Sequence, residues 1–421
     1  MACNICPGLP TRRTFLRFGL AGAGALVGMK PLASLAQDTV AKRTGKNVIL
    51  IWLPGGPSQM DTWDPKPGRK TGGPTKAIDT AVRGLQIAEQ MPKIAAQMKH
   101  LSIVRTMTTS EAAHERGTYL MHTCYSPIPG QDFCAMGTVV SFETHQKGFP
   151  LPEYVAIQPP AIPASPALGE EFLPFQIGSI GDPVPNVKRP GEVGEERQHE
   201  RDRLLNEQNA EFEQKREGRE INKIQTAMKK AEDLMNTPLL KAFNVNAEPE
   251  AVRAEYGKGM GQNVLLARRL VEAGVRYVEV GLGGWDTHEQ NFERVPENLK
   301  QLDPAVGMLM KDLAEKDMLK DTMVMVMGEF GRTPEINGTN GRDHWCKCFS
   351  VAIGGGGIPG GRVIGRTDQD GMDIRERPVT VPELFATVYE KLGIDAMHTY
   401  VVNTRKVPYA YRGKPIRELL A

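Results

Sequence analysis

Hydrophobic positions in this chain follow two patterns, short continuous apolar runs and longer segments with apolar residues at helical spacing. The short runs are rich in β-branched residues and predict buried parallel strands, which bury both faces and therefore lack a polar alternation. They occupy residues 47–53, 101–105, 153–157, 276–280, 321–327 and 349–353. The helical spacing predicts amphipathic helices at 91–99, 263–274, 302–319, 380–392 and 415–420. Strands that alternate with helices predict an α/β fold with a largely parallel central sheet.

One charged segment interrupts this alternation. Residues 195–235 are dominated by Glu, Arg, Lys and Gln, and apolar residues such as Leu204, Phe212 and Ile224 recur at roughly helical spacing. That pattern is typical of long solvent-facing helices with a narrow apolar seam. We therefore expect a charged helical insertion or cap at 185–240, within a single domain that spans residues 37–421.

The N-terminal residues 1–36 have the features of an export signal. The run Thr-Arg-Arg-Thr-Phe-Leu-Arg at 11–17 matches the twin-arginine signature, and an apolar Gly/Ala-rich segment and a small-residue cleavage site follow it. The apolar segment is too short to be a stable membrane span. We expect the twin-arginine translocase as a partner, a periplasmic or extracellular location, and no stable membrane span after the signal is removed.

The charge and the cysteine content of the chain argue against several classes of function. The formal net charge is +2 and 24% of residues are charged, and no basic stripe with interleaved aromatic residues predicts nucleic-acid binding. Cys3 and Cys6 lie in the predicted signal, and the pairing of the other four cysteines stays open. Cys346 and Cys348 are spaced too closely for the usual zinc pattern and fit alternation in a strand. An exported redox protein that uses these two thiols would need a cofactor fingerprint, which the sequence does not offer.

Polar side chains follow the predicted strands at their carboxyl ends, where the loops of an open α/β sheet form a crevice. Carboxylate and imidazole groups together suit divalent ions such as zinc or manganese. In the segment Asp286-Thr287-His288 both side chains lie on the same side of an extended backbone, so both can reach one ion. The candidate metal ligands are Asp61, Asp286, His288, Glu329, Asp343 and His344. Turn and N-cap roles are an equally good interpretation of Asp61.

A second set of residues predicts the reaction chemistry of the same crevice. Thr109 and Ser110 stand at a predicted strand-to-helix junction and are candidates for a hydroxyl nucleophile or for N-caps. His114 follows them, and Arg116 and Arg332 are candidates to bind a tetrahedral anion, because guanidinium groups suit its oxygens.

Three motifs resemble a known family. They are Gly-Gly-Trp-Asp-Thr-His at 283–288, Gly-Glu-Phe-Gly-Arg-Thr-Pro at 328–334 and Gly-Arg-Asp-His-Trp at 341–345. Together with the twin-arginine leader they resemble an exported bacterial family, the domain of unknown function 1501. Their order is also similar to that of the alkaline phosphatase-like superfamily, which includes sulfatases. The resemblance implies an alkaline phosphatase-like three-layer α/β/α sandwich.

The resemblance also implies a function and shows where this chain departs from the superfamily pattern. Glu329-Phe330 stands where the superfamily has a metal-binding Asp-His pair, and His114 is the candidate for the missing nitrogen ligand. Asp61 is the candidate for the aspartate that normally ends the first strand. We expect one or two divalent ions (zinc, manganese or calcium) and hydrolysis of a small-molecule or polysaccharide phosphate or sulfate ester. The alternative is a non-catalytic exported binding or scaffold protein that keeps the fold with at most one structural metal.

Overall fold

The computed structural model describes residues 45–159, 161–178, 180 and 233–421, together with scattered positions between 194 and 207. The predicted signal peptide at 1–36 and most of the predicted insertion at 185–240 lie outside these residues. Within the described residues, no helix has both the length and the apolar character needed to cross a membrane.

The described part of the chain contains these strands: β1 Asn47–Trp52, β2 Ala77–Asp79, β3 Gln86–Ala88, β4 Leu101–Thr108, β5 Tyr154–Ile157, β6 Phe175–Ile177, β7 Tyr277–Gly281, β8 Thr322–Met327, β9 Gly331–Arg332, β10 His344–Trp345, β11 Phe349–Gly355, β12 Val363–Ile364, β13 Arg366–Thr367, β14 Ile374–Glu376, β15 Val379–Thr380, β16 Thr399–Val402 and β17 Arg405–Pro408. Its α-helices of six or more residues are α1 Pro92–Gln97, α2 His114–Thr123, α3 Met136–Glu143, α4 Glu250–Tyr256, α5 Met260–Glu272, α6 Asn291–Glu315 and α7 Val381–Leu392.

The central sheet is mainly parallel, as predicted. Among the described residues its strand order is β12-β4-β11-β8-β1-β7-β5-β6, and β15 also pairs with β4. Strand β11 is antiparallel to both β4 and β8, whereas the other pairs in this sheet are parallel. Every residue of β1 and β8 is buried, because helices cover both faces of the sheet.

Strand β1 shows how the sheet separates two hydrophobic cores. Ile49 and Ile51 point into one core, which includes buried residues of helices α1, α5 and α6. The alternate residues Val48, Leu50 and Trp52 point into the other core, which includes residues of α2, α3 and α7. Successive side chains of a strand point to opposite faces, so this split gives a helix–sheet–helix arrangement in three layers. The predicted α/β fold class is therefore confirmed.

Several elements differ from their predicted bounds. Helix α6 starts eleven residues before the predicted segment at 302–319 and contains Pro296 and Pro304. Proline usually breaks a helix, but a long buried apolar face that includes Leu299 sustains this one. The predicted C-terminal helix at 415–420 is only a short 3-10 turn, Arg417–Leu419. Cys346 and Cys348 lie between β10 and β11 rather than within a strand, and the cysteines of the described residues are free.

The carboxyl ends of several strands meet at one edge of the sheet. Strands β7 and β8 flank β1 in parallel. Strand β4 runs in the same direction, because β11 is antiparallel to both β4 and β8. The loops after β1, β4, β7 and β8, and the segment that leads into β11, therefore lie at this edge.

Candidate metal centre

Four side chains converge at this edge: His114, Asp286, His288 and His344. His114 is the first residue of α2, Asp286 and His288 lie in the loop after β7, and His344 is in β10. Ligand atoms of His114, Asp286 and His344 all lie within 4.8 Å of one another. Asp286 Oδ1 is 3.3 Å from His114 Nε2, 3.1 Å from His288 Nε2 and 3.5 Å from His344 Nε2. The Nε2 atoms of His288 and His344 are 3.0 Å apart.

The other nitrogen of each imidazole ring is occupied by an oxygen acceptor. The pairs are His114 Nδ1 with Glu329 Oε1 at 2.5 Å, His288 Nδ1 with Asp343 Oδ1 at 2.7 Å and His344 Nδ1 with the Ala112 carbonyl at 2.7 Å. A carbonyl or carboxylate oxygen accepts hydrogen bonds, so each Nδ1 carries the proton. In a neutral ring each Nε2 then presents a lone pair to the centre of the cluster.

This arrangement fits a bound cation. With all three rings neutral, two nitrogen lone pairs would face each other at 3.0 Å, and with all three protonated, three positive charges would crowd one carboxylate. His114 Nε2 is buried and makes no hydrogen bond. A divalent ion among the Nε2 atoms and Asp286 would satisfy these groups, and acceptors on Nδ1 are the usual partners of metal-binding histidines. The donor set of three imidazoles and one carboxylate matches zinc or a similar ion.

Glu329 lies behind His114 rather than at the centre. Its side chain is 1% exposed, and Oε1 accepts hydrogen bonds from His114 Nδ1 and from the Gly55 amide at 2.8 Å. The Oε2 atom is buried without a hydrogen-bond partner. Gly55 has a φ of +112°, and an added Cβ would lie 2.4 Å from the Asp286 amide nitrogen. The Pro54-Gly55 turn therefore lets the backbone come close to both Glu329 and Asp286.

Arg332 is completely buried and anchors Asp286. Its Nη2 atom is 2.5 Å from Asp286 Oδ1 and also donates to the Gly55 carbonyl. The other two nitrogens bind backbone carbonyls: Nε donates to that of Gly56 at 2.9 Å, and Nη1 donates to that of Arg342 at 3.0 Å. Burial opposes ionisation of Asp286, but the hydrogen bond and charge of Arg332, with the neighbouring histidines, lower its pKa to about 2. Asp286 is therefore a carboxylate at neutral pH.

The groups around the centre shift the pKa values of two of its histidines in opposite directions. The hydrogen bond to Glu329 raises the pKa of His114 above its usual value, although burial opposes this shift. Burial lowers the pKa of His344, and the positive charge of Arg332 acts in the same direction. His344 is therefore held in its neutral, metal-binding form more strongly than His114 is.

Asp61 and Asp343 do not reach the centre as direct ligands in this structure. The Asp61 carboxylate is buried and accepts hydrogen bonds from Ser58, Thr75, Asn291 and Arg342. Arg342 directly precedes Asp343 and His344, so Asp61 anchors the segment that carries them. The Asp343 carboxylate binds His288 Nδ1, and this hydrogen bond lowers the pKa of Asp343.

The remaining predicted residues lie on the loop between β4 and α2 and on the first turn of α2. Thr109 N donates to the Cys346 carbonyl at 3.0 Å, and Thr109 Oγ1 accepts from the Glu111 amide. Ser110 is exposed, and α2 begins only at His114 without a side-chain cap, so the expected Ser/Thr N-cap is not formed. Arg116 forms a two-fold hydrogen bond with Glu111 and is half exposed. The loop itself lies against His344, whose ring binds the Ala112 carbonyl.

Two contributors to the centre were missed by sequence reasoning. The Ala112 carbonyl is a backbone atom, and no residue type marks it. Asn337 Nδ2 donates to the His288 carbonyl at 2.9 Å and contacts Asp343 Oδ1 at 3.3 Å. The Asn-Gly dipeptide at 337–338 is a turn signal that points to this loop but not to its contacts.

Comparison with known families identifies the family of this chain. The sequence model of the family described as "Protein of unknown function (DUF1501)" matches residues 45–420, which confirms the predicted family. No curated protein matches the chain.

Solved structures that are similar to this chain include three bacterial proteins. A sulfatase from Pseudoalteromonas sp. is 13% identical, with 93% of this chain and 75% of that chain covered and a TM-score of 0.40. An alkaline phosphatase superfamily protein from Vibrio parahaemolyticus is 12% identical, with 84% and 67% covered and a TM-score of 0.38. The lipoteichoic acid synthase from Listeria monocytogenes is 8% identical, with 90% and 76% covered and a TM-score of 0.41. These values are too low to transfer an activity.

Proposed function

We propose that this chain, which belongs to the DUF1501 family, is an exported metal-dependent hydrolase of phosphate or sulfate esters. The observation that carries the proposal is the convergence of three imidazole Nε2 atoms on Asp286 Oδ1, with each Nδ1 held by an acceptor. The resemblance of the motif order to that of sulfatases supports the class of ester. The centre is also partly open to solvent, since His288 and Asp286 are 44% and 49% exposed, so a substrate can reach it.

The residues of the chain divide into those that hold the ion and those that orient them. His114, Asp286, His288 and His344 would hold a divalent ion, which acts as a Lewis acid towards an ester oxygen. Glu329 and Asp343 fix the rings of His114 and His288, and Arg332 fixes the carboxylate of Asp286. Orienting partners of this kind raise the basicity of the ligands and keep the correct tautomer.

A hydroxyl nucleophile would come from the loop that lies against His344. Thr109 and Ser110 are the candidates, because the Ala112 carbonyl binds this loop to His344. Ser110 is the exposed one of the two, whereas Thr109 Oγ1 already accepts the Glu111 amide. A Ser110→Ala variant that hydrolyses esters as fast as the wild type would exclude Ser110.

The test compares metal content and hydrolysis in wild type, His114→Ala, His344→Ala and the control His398→Ala. His398 is exposed and pairs with Glu143, so its loss leaves the centre intact. We expect about one equivalent of a transition metal in the wild type and the control, since the four donors surround one point and zinc-like ions usually take four ligands. We expect both His114→Ala and His344→Ala to lose the metal and the hydrolysis of aryl phosphates and sulfates. Unchanged metal content in both variants would contradict the site.

One observation favours the second candidate function, a non-catalytic metal-binding protein. The two arginines predicted to bind a tetrahedral anion are engaged elsewhere, Arg116 with Glu111 and Arg332 with Asp286 and three backbone carbonyls. Stoichiometric metal that is lost in His344→Ala, without hydrolysis of any phosphate or sulfate ester, would support this candidate over the hydrolase.

A further inference from the structure

A buried ion pair lies in the core beneath the centre, and the proposed function does not use it. His122 and Glu279 are 2% and 0% exposed, and His122 Nε2 is 3.0 Å from Glu279 Oε1. His122 Nδ1 is 2.8 Å from the Thr118 carbonyl, so both ring nitrogens face oxygen atoms. Glu279 Oε2 accepts a 2.6 Å hydrogen bond from the Tyr154 hydroxyl. Burial opposes charge on His122, but Glu279 and the Thr118 carbonyl raise its pKa.

A buried charged pair of this kind is weak evidence for added stability. The rings of Trp52 and Tyr277 are also fully buried in the same hydrophobic core, and Trp52 packs on His122 with 4.3 Å between ring centroids. The desolvation of two charges in such a core is costly, and apolar residues of similar volume are often as stable or more stable. In some proteins a buried polar or ionic group instead fixes the register of the elements that it connects.

The two partners belong to the elements that carry the candidate ligands. His122 is in α2, the helix that begins with His114. Glu279 is in β7, which leads into the loop of Asp286 and His288. Between the two ends of α2, an added Cβ at Gly117 would lie 3.1 Å from Glu329 Cβ, so the helix packs tightly against the residue that orients His114.

We propose that His122 and Glu279, supported by Tyr154, are positioning residues that set the register of α2 against β7 and thereby the distance between His114 and Asp286. This inference rests on the proposed function, because it concerns the geometry of the same metal centre. The pair touches no substrate and acts through the two elements that it connects.

The experiment titrates the apoprotein with Co²⁺ and records the visible absorption, which reports the coordination geometry. Glu279→Gln keeps the shape of the side chain and removes its charge. We expect Co²⁺ affinity to fall about tenfold, the lower range for partners beyond the ligands, with a changed visible band. The matched control is Glu153→Gln, because the buried carboxylate of Glu153 also pairs with a histidine, His145 Nδ1 at 3.1 Å, but lies outside α2 and β7. We expect this control to keep both the affinity and the spectrum.

A purely structural role predicts a different result. It predicts lower thermal stability in Glu279→Gln with the wild-type Co²⁺ affinity and spectrum, and that result would overturn the inference. If Glu279→Gln does not fold, Tyr154→Phe provides the same test, because it removes only the hydroxyl that is bound to Glu279. We expect this variant to lose less Co²⁺ affinity than Glu279→Gln and to show the same spectral change. If the wild type binds no metal, the proposed function and this inference both fall. If the wild type binds Co²⁺ and the variants match it, only this inference falls.

Discussion

The three histidines of the candidate centre have acceptors of different charge, and this difference distinguishes their chemistry. His114 is bound to the buried carboxylate of Glu329, whereas His344 is bound to the neutral carbonyl of Ala112. The pKa of His114 is accordingly raised by Glu329, and the pKa of His344 is lowered by burial. A carboxylate on Nδ1 makes Nε2 a stronger donor to an ion. Glu329 is therefore expected to strengthen metal binding without being a ligand.

We predict that Glu329→Gln weakens metal affinity by about tenfold, the lower range measured for such orienting carboxylates. The amide oxygen of glutamine can still accept hydrogen bonds from His114 and Gly55, so the variant removes mainly the charge. Competition with a chromophoric chelator measures the dissociation constant. Glu335→Gln is the control, because Glu335 is exposed in the same segment. Equal affinities for Glu329→Gln and the wild type would show that the Glu329 charge does not act through His114.

The residue types indicated which side chains meet at the centre, but they did not indicate which partner each side chain binds. Asp286, His288 and His344 were predicted as one ligand group from their motifs, and the structure brings them together. Asp61 carries the same carboxylate, but Arg342 and three uncharged donors occupy it. A carboxylate in a loop serves equally well as a ligand or as the partner of a buried arginine. The choice depends on which donors the fold brings near, and sequence spacing does not contain that information.

At the scale of elements, the predicted strands of the central sheet agree with the structure to within three residues, and β4 differs most, whereas α6 begins eleven residues before its predicted start. Strand β8, Thr322–Met327, is a continuous buried run that ends at a glycine, so its pattern has one interpretation. Helix α6 contains two prolines, and tertiary packing of its apolar face overrides the break that they predict. The start of α7 was predicted to within one residue, and in the structure Thr380 and Glu383 form a capping box there.

We predict that Glu383→Gln destabilises the protein by about 0.5 kcal/mol at neutral pH, because glutamine can keep the capping hydrogen bonds but loses the negative charge near Arg377 and the helix N-terminus. Glu383 Oε2 accepts hydrogen bonds from Thr380 N and Oγ1, both at 2.9 Å, and Oε1 pairs with Arg377 at 2.7 Å. Burial raises the pKa of Glu383, but these hydrogen bonds and the charge of Arg377 outweigh it, so the pKa is lower than usual. Urea unfolding of the two proteins measures the difference in the free energy of unfolding.

The sign of the pH dependence follows from that lowered pKa. The stabilisation by Glu383 is complete above the pKa of an unfolded glutamate, about 4.3, and is lost as the pH falls through the lower folded value. The difference between wild type and Glu383→Gln should therefore shrink as the pH falls from about 6 to about 3.5. Glu376→Gln is the control, because Glu376 pairs with Arg366 at the surface, where ion pairs contribute little. A difference that grows on acidification would contradict a stabilising role of the Glu383 charge.

At the scale of the whole molecule, the candidate centre exists only when the sheet is formed. Its ligands come from three distant parts of the sequence, at 114, 286–288 and 344. They meet because the strands that precede or follow them share one edge of the sheet. An unfolded chain has no such arrangement, so an ion that binds the folded protein should bind the unfolded chain weakly. Export by the predicted twin-arginine route would suit this coupling, since that route carries folded proteins.

This coupling predicts that metal raises the thermal stability of the protein. At a free ion concentration one hundred times the dissociation constant, the stabilisation is about 2.7 kcal/mol. Calorimetry of the chelator-treated protein, with and without Zn²⁺, should show a higher Tm with the metal. His344→Ala should show no such shift in Tm, because it removes one nitrogen ligand. The control His398→Ala should respond like the wild type, because His398 pairs with Glu143 away from the centre. An equal shift in His344→Ala would mean that Zn²⁺ acts at other groups, and the convergence of imidazoles at the sheet edge would then not be the metal centre.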